Sequence, residues 1–309
     1  MNHSDYTILI VDDEASISEM LFDYLYEKCG YNTLQAPSGK DALTILENYN
    51  IDLVLSDINM PSMKGFELLN IVRDKYPKVK RMLMTGYDVD QYISIALQYD
   101  IGNIFTKMNA RGLSELPYLM DLLLSEDIFG VDRYFKGPKQ ISCGMVVNSD
   151  QLYNTAHDTL TLIQDTARAP KIEMVIVELL NNAIFYGARK ESAGSDKSRW
   201  EHTFNLSKED AIIIKSAWDT EKYVISITDN GGRLKKKDVL YWMTRQTERD
   251  VNGLPIGILD PNGRGLFLAR KYLDRLIINV KRDVKTEVII LNYFDREKQV
   301  NKPLYINEI

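Results

Sequence analysis

The chain is poor in the residues that staple, chelate or break a fold. It has 2 Cys in 309 residues, Cys29 and Cys143. They stand in no metal or redox spacing, which excludes a disulfide framework and fits two reduced thiols. With 9 Pro and 17 Gly it is neither collagenous nor wholly disordered. No apolar run approaches the ~20 residues that span a bilayer, so no membrane segment is expected. Residues 1–10 carry no basic stretch followed by a long apolar one. The expectation is therefore no signal peptide and a cytoplasmic protein. Positive charge is also short. The net charge is −6, and residues 1–125 hold 10 Lys and Arg against 18 Asp and Glu. That half repels nucleic acid, and the balanced remainder does not read as a DNA-binding domain. The one tight basic run, Lys235 to Lys237, reads as a solvated loop. No internal repeat is present.

What the chain does have is length for about two domains at ~150 residues each. Residues 1–125 alternate short apolar runs (6–11, 32–36, 51–57, 79–85, 101–106) with amphipathic stretches of helical period (14–29, 38–49, 64–75, 88–99, 111–124). Five strand-helix pairs predict an α/β domain with a parallel sheet covered on both faces. Residues 126–140 break the rhythm with Gly130, Gly137 and Pro138 and predict a linker. Its Ile128, Phe129, Tyr134 and Phe135 are too apolar for a free tether, so it is expected to dock. Residues 141–309 read differently. Helical patterns at 151–168 and 171–188 are followed by a polar loop. Strand runs at 211–217 and 223–229, a Gly-containing segment, a helix at 266–275 and strands at 277–280 and 288–293 complete it. This predicts an α/β sandwich with a mostly antiparallel sheet.

Asp12 and Asp13 follow the first strand, and Asp57 ends the third. Neighbouring strands would gather these carboxylates at one sheet edge, where a hard cation such as Mg²⁺ suits them. Thr85 and Lys107 end the fourth and fifth strand-like runs and face the same place. A carboxylate, a metal, a hydroxyl and an ammonium together suit phosphoryl transfer to the carboxylate. With Val11-Asp-Asp-Glu14, Asp57-Ile-Asn-Met-Pro61, Met63, Gly65, Met84-Thr85-Gly86 and Lys107, residues 5–125 resemble the receiver domain of two-component response regulators. The resemblance implies a flavodoxin-like fold with Asp57 as phosphoacceptor for an upstream histidine kinase. It implies Mg²⁺ on Asp12, Asp13, Asp57 and the Asn59 backbone carbonyl, with Thr85 and Lys107 on the phosphoryl group. Ile104 stands where the family has an aromatic switch residue, and Met108 where a proline usually follows the lysine. Another signalling route is therefore expected, through the helix at 111–124 and the linker.

Glu178 and Asn182 are one helical turn apart, Asp229-Asn-Gly-Gly232 ends a strand, and Gly263-Arg264-Gly265-Leu266 precedes a helix. Glycines before a helix N-terminus let backbone amides approach a phosphate. In this order the three segments resemble the ATPase fold shared by gyrase, the heat-shock chaperone, histidine kinases and anti-sigma-factor serine kinases (the GHKL type), over about 141–295. The resemblance implies Mg²⁺-ATP, with Asn182 on the metal and Glu178 as general base. It places Asp229 and Gly231 at the adenine, Gly263, Arg264 and Gly265 at the triphosphate, and Thr286 near the adenine. The form of the glycine segment is closest to the anti-sigma serine/threonine kinases. His157 reads as a helix-surface or core residue. Arg233, Tyr186 and Lys285 depart from the family, and the loop at 189–203 is longer and more charged than theirs.

Three readings of the second half stay open. It is a serine/threonine kinase acting on an anti-sigma-factor antagonist or a sigma factor, a partner-switch module that binds ATP without turnover, or a histidine kinase core acting on a separate phosphotransfer protein. Monomer and homodimer are equally compatible with the sequence.

Overall fold

The structure is a computed structural model that describes residues 2–107, 110–165, 167–189, 203–257, 260, 263–295 and 301–309. The chain divides into two compact units, Met1–Ile128 and Phe129–Ile309.

The first unit alternates strands and helices: β1 (Thr7–Val11), α1 (Ala15–Asp23), β2 (Asn32–Ala36), α2 (Gly39–Asn48), β3 (Leu53–Asp57), α3 (Gly65–Lys75), β4 (Lys80–Thr85), α4 (Ile93–Tyr99), β5 (Asn103–Thr106) and α5 (Ala110–Ser125). All its strand pairs are parallel, in the order β2-β1-β3-β4-β5. β3 is buried at every position, as a strand sandwiched between helices requires. The elements follow the apolar rhythm, with two local changes. The first helix ends in a wide π-turn over Tyr24–Lys28, and a 3₁₀ turn, Val89–Tyr92, leads into α4. Ser38 caps α2 by accepting the amide of Asp41 at 3.2 Å. β1 lies between β2 and β3, so the chain reverses its winding there, and a crevice opens at the carboxyl ends of β1 and β3.

The second unit opens with an element the sequence did not predict, strand β6 (Gln140–Val146). Then come α6 (Ser149–Ile163), α7 (Ala169–Asn182) with a π-turn at Ala183–Ala188, β7 (Ile212–Trp218), β8 (Lys222–Asp229), α8 (Lys236–Thr247), α9 (Arg264–Tyr272), β9 (Arg275–Lys281), β10 (Lys285–Tyr293) and β11 (Leu304–Glu308). Its strands pair in the order β11-β9-β10-β8-β7-β6, antiparallel except for β11 on β9.

One expectation is corrected here, and two stretches take on structure beyond what the sequence predicts. Lys236 and Lys237 are not in a loop: they open α8, with Lys235 at its N-cap. The apolar end of the chain forms β11, which no strand run announced. The stretch at 126–140 is not a single linker. Its residues Val131–Tyr134 form a 3₁₀ turn with Val131 and Tyr134 each 2% exposed, packed on β7 and β8. Met108 and most of the loop expected at 189–203 lie outside the described residues. The cysteines are free, and His157 is on the surface of α6, 3.6 Å from Glu173. Among the described residues no helix is long and apolar enough to cross a membrane.

Candidate functional site

At the carboxyl end of the parallel sheet, Asp12 follows β1, Asp57 ends β3, Thr85 ends β4 and Lys107 follows β5. Lys107 is two strands from β3, and its long stem carries the ammonium back to the crevice. There Nζ lies 2.6 Å from Asp12 Oδ2 and 2.6 Å from Asp57 Oδ1. All three side chains are buried or nearly so, at 5% exposure for Lys107, 0% for Asp12 and 11% for Asp57. Burial alone would lower the Lys107 ammonium, but its bonds to Asp12 and Asp57 outweigh that and hold it above the ordinary lysine range. The other oxygens are also held. Asp12 Oδ1 accepts the Glu14 amide at 3.0 Å, and Asp57 Oδ2 accepts the Asn59 amide. Thr85 is 1% exposed, and its Oγ1 accepts the Tyr87 amide at 3.0 Å.

The sequence led us to expect three converging carboxylates. The structure brings two together around Lys107, and Asp13 is exposed at the rim. Among the described residues no three His, Cys, Asp or Glu side chains form a ready metal cage. The donor set nevertheless fits a hard divalent ion: two carboxylates and a main-chain carbonyl are ligands of the kind that Mg²⁺ takes alongside several waters. Ile104 is fully buried, with no aromatic ring at that position to swing between inward and outward rotamers.

The second unit holds a pocket between the helices and the sheet. Leu179, Asn182 and Ala183 from α7 and its π-turn face Asp229, Thr286 and Val288 from the sheet. Tyr186, Asp238, Trp242, Gly263 and Leu266 close the sides. Three segments remote in sequence meet here. Asp229 is 5% exposed and accepts the amides of Gly231 at 2.8 Å and Gly232 at 3.2 Å. Burial pushes its carboxyl up to about 6 against those two bonds. Thr286 stands directly opposite Asp229 across β8 and β10, and its buried hydroxyl acts on the Asp229 carboxyl as a further lowering influence against burial. Gly265, at the start of α9, packs on α7: a Cβ there would stand 3.1 Å from Glu178 Cβ and 3.3 Å from Asn182 Nδ2. Gly263 lies against Trp242, while Arg264 is exposed.

Sequence reasoning missed several residues of this pocket. A side chain at Gly187 would collide with Asp229, and one at Gly231 with the Gly187 carbonyl, so the π-turn and the strand end touch backbone to side chain. Trp242 and Asp238 escaped because α8 was unforeseen. Burial and the nearby Asp238 charge push the Tyr186 phenol up to about 12. Arg233 lines the pocket and lies 3.8 Å from Asp283.

Comparison with known proteins bears on the first of these sites. Residues 8–115 match the response regulator receiver domain family. The response regulator FleR of Pseudomonas aeruginosa is 34% identical over 110 residues, which is 35% of this chain and 23% of FleR. The transcriptional regulatory protein DegU of Brevibacillus brevis is 28% identical over 117 residues, 37% of this chain and 50% of DegU. Among solved structures, the response regulator TrrA of Thermotoga maritima in complex with Mg²⁺-BeF is 34% identical. It covers 38% of this chain and 99% of that chain, with a TM-score of 0.34. The chain thus spans half or less of the length of these two curated relatives. The N-terminal unit is a response regulator receiver domain.

Proposed function

We propose that this receiver domain takes a phosphoryl group on Asp57 from an upstream histidine kinase, and that the second unit is an ATP-binding output of the GHKL type acting as a serine/threonine protein kinase. In the receiver, a bound Mg²⁺ would sit with Asp12, Asp13, Asp57 and the Asn59 carbonyl and supply charge neutralisation for the incoming phosphoryl oxygens. Asp57 Oδ1 is the nucleophile once it leaves Lys107. The ammonium then turns to the phosphoryl group, and Thr85 offers its hydroxyl. FleR and DegU carry names of regulators, which agrees with a signalling role.

For the output, the observation that carries the reading is the pocket that joins Asn182, Asp229, Gly263 and Thr286. Asp229 is a buried acceptor suited to the adenine amino group, and the Thr286 hydroxyl opposite it is available to the same base edge. Asn182 would hold the Mg²⁺ of Mg-ATP, with the N-terminus of α9 at Gly263 and Gly265 facing the phosphates. Glu178, one turn before Asn182, would accept the proton of a substrate hydroxyl. A role confined to holding ATP needs no such carboxylate, which favours turnover over a binding module. The substrate class is a Ser or Thr of a partner protein such as an anti-sigma-factor antagonist, or of a sigma factor. Incubation with γ-labelled ATP, candidate partners and beryllofluoride tests this. Label is expected on a partner Ser or Thr in wild type and not in Glu178→Ala. ATP binding without label transfer to any partner would reduce the output to a nucleotide-gated binding module.

A further inference from the structure

The buried acid that neither site uses is Glu287. It is 3% exposed, on β10, beside two residues that line the nucleotide pocket, Thr286 and Val288. Successive strand residues point to opposite faces, so Glu287 stands on the back of the sheet from the pocket. There its two oxygens accept a single amide, that of Gly130, at 3.2 and 3.0 Å. Asn279 Nδ2 approaches Oε2 at 3.3 Å, and Asn307 fixes Asn279 through a bond of 2.8 Å. These donors are neutral, and the Lys285 and Lys215 charges add only a smaller, non-bonded attraction. A carboxylate withdrawn from water among neutral donors is costly unless its hydrogen bonds are kept, so Glu287 makes the sheet dependent on whatever brings Gly130 to it.

What brings it is the segment at 129–134, which begins four residues after α5 ends at Ser125. Gly130 adopts φ +103°, a conformation glycine tolerates and other residues resist. The turn Val131–Tyr134 then lays its buried side chains on β7 and β8, Arg133 Nε donates to the Phe129 carbonyl at 2.8 Å, and Lys285 Nζ rests 4.7 Å from the centre of the Phe129 ring. One segment therefore packs on β7, β8 and β10, and the last two of these strands line the pocket.

We propose that residues 129–134 are a regulatory strap for the pocket: docked through Gly130 and Glu287, the strap holds β10, and with it Thr286, in the nucleotide-competent setting, and a signal that lifts the strap weakens nucleotide binding. This rests on the reading of the pocket as a nucleotide site, and concerns its regulation. The strap follows the receiver directly in the chain, and it supplies a route that does not need an aromatic at position 104.

The test uses the full chain and two variants that attack the contact from opposite sides. Glu287→Ala removes the acceptor. Gly130→Ala leaves the sheet intact and strains the strap alone, since its Cβ would meet open space and only the backbone angle resists it. Amide hydrogen exchange without nucleotide is followed in peptides over 129–135, 183–188 and 286–288, and ATP affinity is measured by calorimetry. Both variants are expected to speed exchange over 129–135 about 10-fold or more, to speed it less over the two pocket peptides, and to weaken ATP about 5–10-fold, at the low end of the usual range of coupling between sites. Unchanged exchange over 129–135 would show that Glu287 does not hold the strap. A loosened strap with unchanged pocket exchange would show that it does not act on the site. If wild type binds no ATP, the nucleotide reading fails, and the exchange comparison still decides the strap. If Glu287→Ala does not fold, Gly130→Ala decides alone.

Discussion

Replacing Asp229 by Asn should move stability and binding in opposite directions. The carboxyl is buried, and its value of about 6 lies roughly two pH units above the ordinary 3.8. That difference corresponds to about 3 kcal/mol between its two protonation states. A carboxyl raised in this way stabilises the fold fully below about pH 4, and that contribution is lost as pH rises through about 6. At pH 8 wild type therefore carries an ionised, desolvated group, and Asn at the same position carries none. The amides of Gly231 and Gly232 keep an acceptor in the carboxamide oxygen, and the new NH₂ can donate to the Thr286 hydroxyl opposite it. The variant should gain up to about 3 kcal/mol at pH 8 and almost nothing at pH 4, which for a unit of this size is a rise in Tm of up to about 6–12 °C. Trp200, Trp218 and Trp242 all follow residue 128, so tryptophan fluorescence reads the melting of the second unit alone. In the same variant an amide donor faces the adenine amino group in place of an acceptor, and ATP affinity should fall by about 100-fold or more. In wild type, ATP affinity should fall as pH drops through about 6, because the protonated acid is the poorer acceptor. A variant less stable than wild type at pH 8, or one that binds ATP normally, would refute the assignment of Asp229 as a strained, buried acceptor.

Three further outcomes follow from the same geometry. Beryllofluoride with Mg²⁺, or a small phosphodonor, should modify wild type and leave Asp57→Ala unmodified, as read by intact mass or by fluorine resonance; equal modification of both would place the acceptor elsewhere. Lys107→Met leaves Asp12 and Asp57 facing each other without their shared cation, so the receiver should lose about 3–5 kcal/mol without Mg²⁺ and regain more on adding Mg²⁺ than wild type does, by calorimetric melting; an unchanged Mg²⁺ response would argue that the metal does not bind at this pair. Glu178→Ala should keep ATP affinity within about 3-fold and abolish transfer to a partner hydroxyl; a matched loss of both would make Glu178 a binding residue.

The first unit was legible because its signals are local and redundant. Each buried parallel strand is a continuous apolar run, such as the fully buried β3, and each site residue sits at the end of one of them. The second unit was legible only in part. β6 was missed because its apolar residues face outward: Ile141 is 55% exposed and Met145 48%, while Gly144 packs against Thr155, so the usual alternation runs in reverse. α8 was missed because its buried face includes Thr244 and Gln246 beside Val239, Leu240 and Met243, which blunts the apolar period. β11 is five residues long at the end of a charged stretch, and it is a strand through pairing with remote residues, among them those of β9.

The sequence by itself determined which side chains are available and in what order: the acidic pair after the first strand, Asp57, Thr85 and Lys107, and the three glycine- and carboxylate-bearing segments of the second half. It determined this because catalytic residue types and turn glycines are local features, readable without knowing their neighbours. The tertiary structure decided what they do to one another. Only the fold puts the Lys107 ammonium between two carboxylates, with Asp13 exposed beside Asp12. The same holds for Gly187 pressed against Asp229, Thr286 set opposite Asp229, and Glu287 turned to the back of the sheet against Gly130. Charge state, desolvation and hydrogen-bond satisfaction depend on distances between residues tens or hundreds of positions apart, and no pattern within a local window encodes those distances.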